Sequence, residues 1–381
     1  MPVFAADLLF TRDAVVPQPI VRAEDGVVTQ VSSRENRELP VGTKEFPGCA
    51  LAPGYFDLHI HGGVGIDVMH ATPAELAGFE RFLGQHGVTS YLPTTLTAPI
   101  DMTVRALERL GNAVRDAKPE PGRARPAGIH LEGPFLSHAK RGVHPPEHLQ
   151  APDIGLFDRF FDAAGGAAKM MTVAPELAGA DKFISHVVQR GVTVSIGHSD
   201  ATWDQAQAGV RAGATTATHT FNAMRPLDHR GPGILGVVLT SEQLMADIIA
   251  DGVHIRPEIV KLFLQLKTEE RAILITDALS ATGMPDGKYV LGGFEFEVIG
   301  DRCEHNGTLA GSVLTLDRAV RNAAAFAEWP LHRAARLASF NPAKLLGLET
   351  KGRIEPGADA DMVVLDPGGN VRATIIAGLL A

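Results

Sequence analysis

Histidine and acidic residues recur in this sequence at the ends of short apolar segments. Six of them stand in comparable positions: His59, His61, Glu132, His198, His219 and Asp277. Imidazole nitrogens and carboxylate oxygens are ligands that Zn²⁺, Fe²⁺, Mn²⁺ and Co²⁺ accept in proteins. Residues two apart on a strand point the same way, so the imidazoles of His59 and His61 would share one face. The pattern predicts a site for one or two divalent transition metal ions.

Each of these residues alone has a simpler interpretation. His59 and His61 could be a hydrogen-bonded pair in the core, and Glu132 could form a salt bridge. Asp277 could cap the N-terminus of the segment that follows it. His130, two residues before Glu132, is interpreted as a packing histidine rather than a ligand. The joint pattern outweighs these alternatives, because five separate segments would otherwise have to end on a polar residue by chance.

Strand-like and helix-length segments alternate through the middle of the chain. Eight segments are predicted to be strands: 55–61, 89–93, 128–132, 170–173, 192–198, 214–219, 245–250 and 272–277. Helices are predicted over 73–86, 101–117, 181–190, 202–212 and 257–266. Eight βα units predict an α/β fold, a (β/α)8 TIM-like barrel, whose active sites lie at the carboxyl ends of the strands. Such a barrel would collect the six polar residues at one face.

Both ends of the chain contain short β-like segments. They lie at 5–10, 19–23, 27–31, 352–354, 361–365 and 371–376. We expect them to pair into one small β-sandwich domain, with the barrel inserted between its two halves. The predicted boundaries are 1–53 for the first part of the sandwich, 54–342 for the barrel and 343–381 for the second part.

The composition excludes several classes of protein. Hydrophobic residues make up 45% and charged residues 21% of the 381 residues, as in a globular enzyme. The formal net charge of −9 leaves no general basic surface for nucleic acid or a membrane, although a small anionic substrate stays compatible with it. No apolar run reaches the roughly 18 to 20 residues of a membrane span, and no signal peptide is expected. With only Cys49 and Cys303, the chain is expected to be cytoplasmic.

Longer motifs resemble those of one enzyme family. They are PGYFDLHIHG at 53–62, HLEGPF at 130–135, KRGVH at 140–144, GHS at 197–199, THTFNAM at 218–224, DGVH at 251–254, TDA at 276–278 and GTLAGS at 307–312. These motifs resemble the amidohydrolase superfamily and, within it, the N-acetylglucosamine-6-phosphate deacetylases. HLEGPF and THTFNAM are much more specific than the spaced histidine pair. The resemblance covers nearly the whole chain.

This resemblance implies hydrolysis of N-acetylglucosamine 6-phosphate to glucosamine 6-phosphate and acetate by a metal-activated hydroxide. It implies Glu132, His198 and His219 as the main metal ligands. Asp277 would be the catalytic acid/base, and His144 would polarise the acetamide carbonyl. The residues implied to bind the phosphate are Asn222, Ala223 through its backbone N–H, Arg230 and His254. Those implied to line the sugar are Val143, Leu309, Ala310 and Gly311.

The sequence leaves three properties open: the number of metal ions, the oligomeric state and the exact substrate. Single-metal members of the family lack the pair present here as His59 and His61, so a second metal ion is plausible. Arg230 can serve the neighbouring subunit in this family, which implies a homodimer. The alternatives are another amidohydrolase, such as an imidase, a dihydroorotase-like enzyme or an aminoacylase, and a non-catalytic barrel scaffold. The phosphate-binding set argues against the former, and the complete ligand set argues against the latter.

Overall fold

The chain alternates short strands with helices along most of its length. A computed structural model describes residues 2–34 and 38–380; the predicted terminal segments also include residues 1, 35–37 and 381, which lie outside the described residues. In chain order the strands are β1 (Val3–Phe10), β2 (Val15–Pro17), β3 (Pro19–Glu24), β4 (Val27–Ser33), β5 (Lys44–Pro53), β6 (Tyr55–Ile60), β7 (Gly62–Gly63), β8 (Ile66–Asp67), β9 (Val88–Thr95), β10 (Arg125–Pro126), β11 (Ile129–Glu132), β12 (Ala168–Val173), β13 (Thr193–Ile196), β14 (Thr216–Ala217), β15 (Ala246–Ile249), β16 (Ala272–Ile275), β17 (Gly287–Leu291), β18 (Phe294–Ile299), β19 (Arg302–His305), β20 (Thr308–Leu309), β21 (Met362–Leu365), β22 (Val371–Ile376) and β23 (Leu379–Leu380).

All five predicted helices are present. In chain order the helices are α1 (Pro73–Gln85), α2 (Ile100–Asp116), α3 (Ile154–Ala163), α4 (Ala180–Gln189), α5 (Trp203–Arg211), α6 (Gly233–Thr240), α7 (Pro257–Arg271), α8 (Leu316–Ala327), α9 (Leu331–Leu337) and α10 (Phe340–Leu345). Thr72 and Glu75 bond reciprocally at the start of α1, and Thr202 and Gln205 do the same at the start of α5. These capping boxes satisfy backbone N–H groups that a helix start leaves free. Among the described residues, no helix is both long enough and apolar enough to cross a membrane.

Eight parallel strands form a curled central sheet in the order β6, β9, β11, β12, β13, β14, β15 and β16. Continuous ladders join the first six strands, and another joins β15 to β16. Between β14 and β15, which share no ladder among the described residues, the Met245 N–H donates to the Thr215 carbonyl at 3.0 Å. At the other end, the Asp277 N–H donates to the His59 carbonyl at 2.8 Å. The last strand therefore lies beside the first, and the carboxyl ends of the strands share one rim.

The buried strands explain the apolar segments of the sequence. Every residue of β6, β9, β11 and β16 is buried, as expected where helices cover a parallel sheet. All eight predicted strands are present, but β13, β14 and β16 each end two residues before the polar residue expected to close them. Those residues, His198, His219 and Asp277, have φ angles of 45°, 30° and 50°, which strands do not adopt. They begin the rim loops instead.

Strands from both ends of the chain pair into a second sheet. Its order is β23, β22, β21, β5, β1, β3 and β4, with β2 paired to β1. β1 and β5 run parallel, and the other neighbours run antiparallel. The sheet has its own buried core, which includes Phe4, Leu9, Val21, Met362 and Ile375. The predicted pairing of the two termini in one β unit is therefore confirmed.

One predicted terminal strand is wrong. Residues 352–354 form no strand, and Gly352 has a φ of 70°. A Cβ atom at Gly352 would lie 2.4 Å from the Ser339 carbonyl oxygen. The segment is a tight turn against α10, where only glycine fits.

A four-stranded antiparallel sheet, β17 to β20, was not predicted. It follows the last parallel strand and spans residues 287–309. Phe296, Val298 and Cys303 pack in one cluster with Leu279, which comes from the rim loop after β16. The small sheet therefore covers part of the rim at which the polar residues lie.

Candidate active site

The first group of predicted ligands is Glu132, His198 and His219. The Nε2 atoms of both histidines lie 3.1 Å from Oε1 of Glu132 and 3.0 Å from each other. All three side chains are buried, and their donor atoms lie within 4.8 Å of one another. One cation could therefore contact all three.

His59, His61 and Asp277 form a second group beside the first. The two Nε2 atoms are 3.1 Å apart, and Oδ1 of Asp277 lies 3.2 Å from Nε2 of His61. The two oxygens of Glu132 also reach this group, at 3.3 Å from His61 Nε2 and 3.4 Å from His59 Nε2. Glu132 thus lies between the groups and could contact a cation in either.

Backbone hydrogen bonds hold His219 and Asp277 in their positive-φ conformations. The N–H of His219 donates to the carboxylate of Asp247, which is fully buried. The N–H of Asp277 donates to the His59 carbonyl. Positive φ at a residue other than glycine costs on the order of 1–3 kcal/mol, so it persists only where neighbouring bonds fix it.

The partners of the ring Nδ1 atoms set the tautomers of two ligands. Nδ1 of His61 lies 3.1 Å from the Thr94 carbonyl, and Nδ1 of His198 lies 2.9 Å from the Lys140 carbonyl. A carbonyl oxygen only accepts, so each Nδ1 carries a hydrogen, and in the neutral ring each Nε2 presents a lone pair to its group. Lone pairs directed at one point repel unless a cation lies between them. The donor set therefore fits a divalent transition metal ion.

His144 has the opposite tautomer. The backbone N–H of Thr97 donates to Nδ1 of His144 at 3.3 Å, which makes this nitrogen an acceptor. The Thr97 hydroxyl lies 2.8 Å from the same nitrogen. Nε2 of His144 therefore carries the hydrogen, and it lies 3.4 Å from Oε2 of Glu132. His144 is a fixed hydrogen-bond donor beside the ligand groups rather than a ligand.

The carboxylates perturb the pKa values of the imidazoles around them. Burial lowers the pKa of His61, but hydrogen bonds to Asp277 and Glu132 outweigh burial and raise it to about 10. Burial likewise opposes a rise at His219, whose hydrogen bond with Glu132 raises its pKa to about 9. Burial lowers the pKa of His198 to about 4. Two buried carboxylates thus favour positive charge at the centre of the site, where a divalent cation would supply it.

The ligand groups open into a cavity of about 350 Å³. Of the predicted residues, those that line it are His61, Glu132, Val143, His144, His198, His219, Asn222, Ala223, His254, Asp277, Leu309 and Gly311. His59 lies in the fully buried strand β6, beside this lining. Ala310 is buried, and Arg230 is on an exposed loop; neither lines the cavity. The structure thus brings together most of the predicted site but not Arg230.

Some lining residues were not predicted. They include Leu96, Lys140, Gly142, Leu279, Leu291 and Thr308. Lys140 and Gly142 belong to the KRGVH motif and Thr308 to the GTLAGS motif, so these motifs could have identified them as cavity residues. Leu291 comes from the small antiparallel sheet that the sequence analysis missed.

Polar groups with free hydrogen-bonding capacity lie at another part of the cavity. Nδ2 of Asn222 is buried and has no hydrogen-bond partner among the described residues. Nδ1 of His254 bonds to a carboxylate oxygen of Asp251 at 2.6 Å, which leaves Nε2 of His254 for a ligand. An amide donor and an imidazole held by a carboxylate suit an anionic group.

Comparisons with known proteins agree on one family. The amidohydrolase family profile matches residues 50–380. The chain is 38% identical over 381 residues to the N-acetylgalactosamine-6-phosphate deacetylase of Escherichia coli O157:H7, covering 100% of this chain and 99% of that protein. It is 37% identical over 356 residues to the N-acetylglucosamine-6-phosphate deacetylase of Lysinibacillus sphaericus, covering 93% and 91%.

A solved structure adds a substrate complex. It is an aspartate-to-alanine variant of N-acetyl-D-glucosamine-6-phosphate deacetylase from Mycobacterium smegmatis, in complex with N-acetyl-D-glucosamine 6-phosphate. The two chains are 36% identical and superpose with a TM-score of 0.92, and the match covers 99% of this chain and 98% of the other.

Proposed function

The chain belongs to the amidohydrolase family, and from this premise we propose that it removes the acetyl group from N-acetylglucosamine 6-phosphate. The products are acetate and glucosamine 6-phosphate. The observation that carries the proposal is a single cavity with metal-type ligands at its base and free donors for an anion at its wall. Those donors would have no purpose in an imidase, a dihydroorotase-like enzyme or an aminoacylase, and the complete ligand groups argue against a non-catalytic scaffold.

Glu132, His198 and His219 would hold one divalent cation, and His59, His61 and Asp277 would offer a second position. Zn²⁺, Fe²⁺, Mn²⁺ and Co²⁺ all suit these nitrogen and oxygen donors. When bound, such a cation polarises a carbonyl and lowers the pKa of water towards ~7.

The chain's own residues then divide the work of amide hydrolysis. Asp277 accepts the proton of the attacking water at its carboxylate and later gives a proton to the leaving amine nitrogen. His144 donates from Nε2 to the carbonyl oxygen as negative charge develops there. The aspartate-to-alanine variant that retains substrate in the M. smegmatis structure supports an essential aspartate.

The sugar phosphate would lie across the rest of the cavity. Asn222, the backbone N–H of Ala223 and His254 would bind the phosphate. Val143, Leu309 and Gly311 would line the sugar ring, while Ala310 is buried behind the cavity wall. Arg230 lies on an exposed loop, so it would bind the phosphate in the site of a partner subunit, which favours a homodimer.

The experiment compares N-acetylglucosamine 6-phosphate with N-acetylglucosamine while bound metal is quantified in the same preparation. We expect acetate release from the phosphorylated sugar, at least ~100-fold higher kcat/KM than for the unphosphorylated sugar, and one or two metal ions per chain. Equal activity on both sugars, or none on either, would contradict the proposal.

A second candidate substrate is N-acetylgalactosamine 6-phosphate. The E. coli relative, which is 38% identical over this whole chain, carries that name. The two sugars differ only at the C4 hydroxyl, so the same acetate assay with both phosphates decides between them.

We also propose the finer architecture and location predicted from the sequence. The curled sheet would be a closed (β/α)8 barrel over 54–342, and the terminal segments 1–53 and 343–381 would form a β-sandwich. Free Cys49 and Cys303 fit a reducing cytoplasm.

A further inference from the structure

Asp57 and Thr276 join the first and last parallel strands beneath the ligand groups. The Thr276 hydroxyl donates to Oδ2 of Asp57 at 2.6 Å. The backbone N–H groups of Thr276 and His59 donate to Oδ1 of Asp57 at 3.3 Å and 3.2 Å. Asp57 is 0% exposed and Thr276 is 1% exposed. One buried carboxylate therefore ties the residue before Asp277 to the strand that carries His59.

This contact lies at the seam between the first and last parallel strands of the central sheet. Among the described residues β6 and β16 share no continuous ladder. Their pairing consists of the bridge between Ile60 and Ala278 and the bond from the Asp277 N–H to the His59 carbonyl. Beyond the strand ends, the N–H groups of His61 and Gly62 both donate to the Ala278 carbonyl. The Asp57–Thr276 contact adds two hydrogen bonds across this seam, one from the Thr276 hydroxyl and one from its backbone N–H.

Asp277 needs such support because its backbone conformation is strained. Its φ of 50° is rare for a residue other than glycine and persists only where the surroundings fix it. Ser312 binds the carbonyl groups of Thr276 and Asp277. Its N–H donates to the Asp277 carbonyl at 2.8 Å, and its hydroxyl donates to the Thr276 carbonyl at 2.6 Å. Thr276 is thus held by hydrogen bonds to Ser312 on one side and to Asp57 on the other.

We infer that Asp57 and Thr276 are positioning residues that hold the Asp277 carboxylate in line for proton transfer. The inference rests on the proposed function, since it assigns this pair to the same site. Without the threonine hydroxyl, the backbone at Asp277 relaxes towards an unstrained conformation and its carboxylate shifts. A shift of about 1 Å at a reacting group can lower the rate ~100-fold. Substrate affinity stays unchanged, because the pair lies away from the residues proposed to bind the sugar phosphate.

Thr276→Val is the direct test, because it removes the hydroxyl and keeps the shape. Thr216→Val is the matched control: Thr216 is a buried threonine on parallel strand β14, and its hydroxyl has no partner among the described residues. We expect kcat to fall ~10- to 100-fold in Thr276→Val with KM within about threefold of wild type. Thr276→Ser, which keeps the hydroxyl, should restore most of kcat, and Asp57→Asn should resemble Thr276→Val.

Thermal unfolding of each variant separates misfolding from misalignment. A folded Thr276→Val or Asp57→Asn protein with the kcat of the Thr216→Val control overturns the inference. So does failure of both variants to fold, because the pair would then serve stability alone. A wild-type protein that releases no acetate contradicts the proposed function instead.

Discussion

His144 is the residue whose replacement tests the proposed chemistry most directly. Its ring is fixed on one side by two contacts with Thr97, so Nε2 must carry the hydrogen. In the free protein this N–H has a long contact of 3.4 Å to Glu132 and no shorter carboxylate partner among the described residues. The donor is therefore oriented and nearly unused until negative charge develops on the carbonyl oxygen.

The expected magnitude follows from this geometry. One preorganised donor to a developing oxyanion is worth ~3 kcal/mol, which corresponds to a ~100- to 1,000-fold change in kcat. Little of this energy stabilises the ground state, because a neutral carbonyl oxygen attracts the donor weakly. His144→Leu should therefore lower kcat by this factor, while KM changes less than about fivefold.

Steady-state acetate release from N-acetylglucosamine 6-phosphate gives both constants. Thr97→Val is the control, because it removes the hydroxyl but keeps the backbone N–H that sets the His144 tautomer. We expect it to lose less than about tenfold in kcat. If His144→Leu stays within about fivefold of wild type, or if only its KM rises, the residue is not an oxyanion donor and the reasoning fails.

Three other predictions concern the ligands and the stability of the fold. Asp277→Asn should lower kcat ~10²- to 10⁴-fold while the protein keeps its metal, as measured by elemental analysis; a near-normal rate would remove its acid/base role. Glu132→Gln should lose most of the bound metal, because the oxygens that reach both ligand groups lose their charge; unchanged metal content would contradict this. Burial lowers the pKa of Lys267 from 10.5 to about 8, so between these pH values the unfolded chain retains a proton that the folded chain has released. The free energy of unfolding of the wild type, measured with urea and taken relative to that of Lys267→Met, should therefore rise with pH across this window, by at most roughly 3 kcal/mol; a constant difference would contradict this.

The parallel strands and the convergence of the histidine and acidic residues at one rim could be predicted because they depend on local signals. Fully buried strands leave continuous apolar segments, and polar residues at their carboxyl ends mark the rim. The small sheet over the cavity was missed even though Phe294, Phe296 and Val298 alternate with charged or exposed residues. That alternation is a two-residue period, but the surrounding glycines resemble a loop.

The conformation of the ligands could not be predicted from the sequence. An apolar segment followed by glycine and histidine reads as a strand that continues to His198, whereas the strand ends at Ile196. The turn at His198 depends on contacts from distant segments, such as the Lys140 carbonyl that accepts its Nδ1 hydrogen. Arg230 differs: the resemblance already implied that this residue can serve a neighbouring subunit, and its exposed loop does not line the cavity of its own chain.

The strain at the rim explains why the site requires such a heavily buried sheet. His198, His219 and Asp277 all have positive φ, at a cost of roughly 1–3 kcal/mol each. The total, roughly 3 to 9 kcal/mol, is comparable to the whole net stability of a typical domain, ~5–15 kcal/mol. Rigid strands and buried acceptors such as Asp57 and Asp247 must oppose this cost, since relaxation of any one ligand would pull its donor atom away from the shared point. A bound cation would also offset the cost of the strained conformations, because it binds only the arrangement in which all the donors converge.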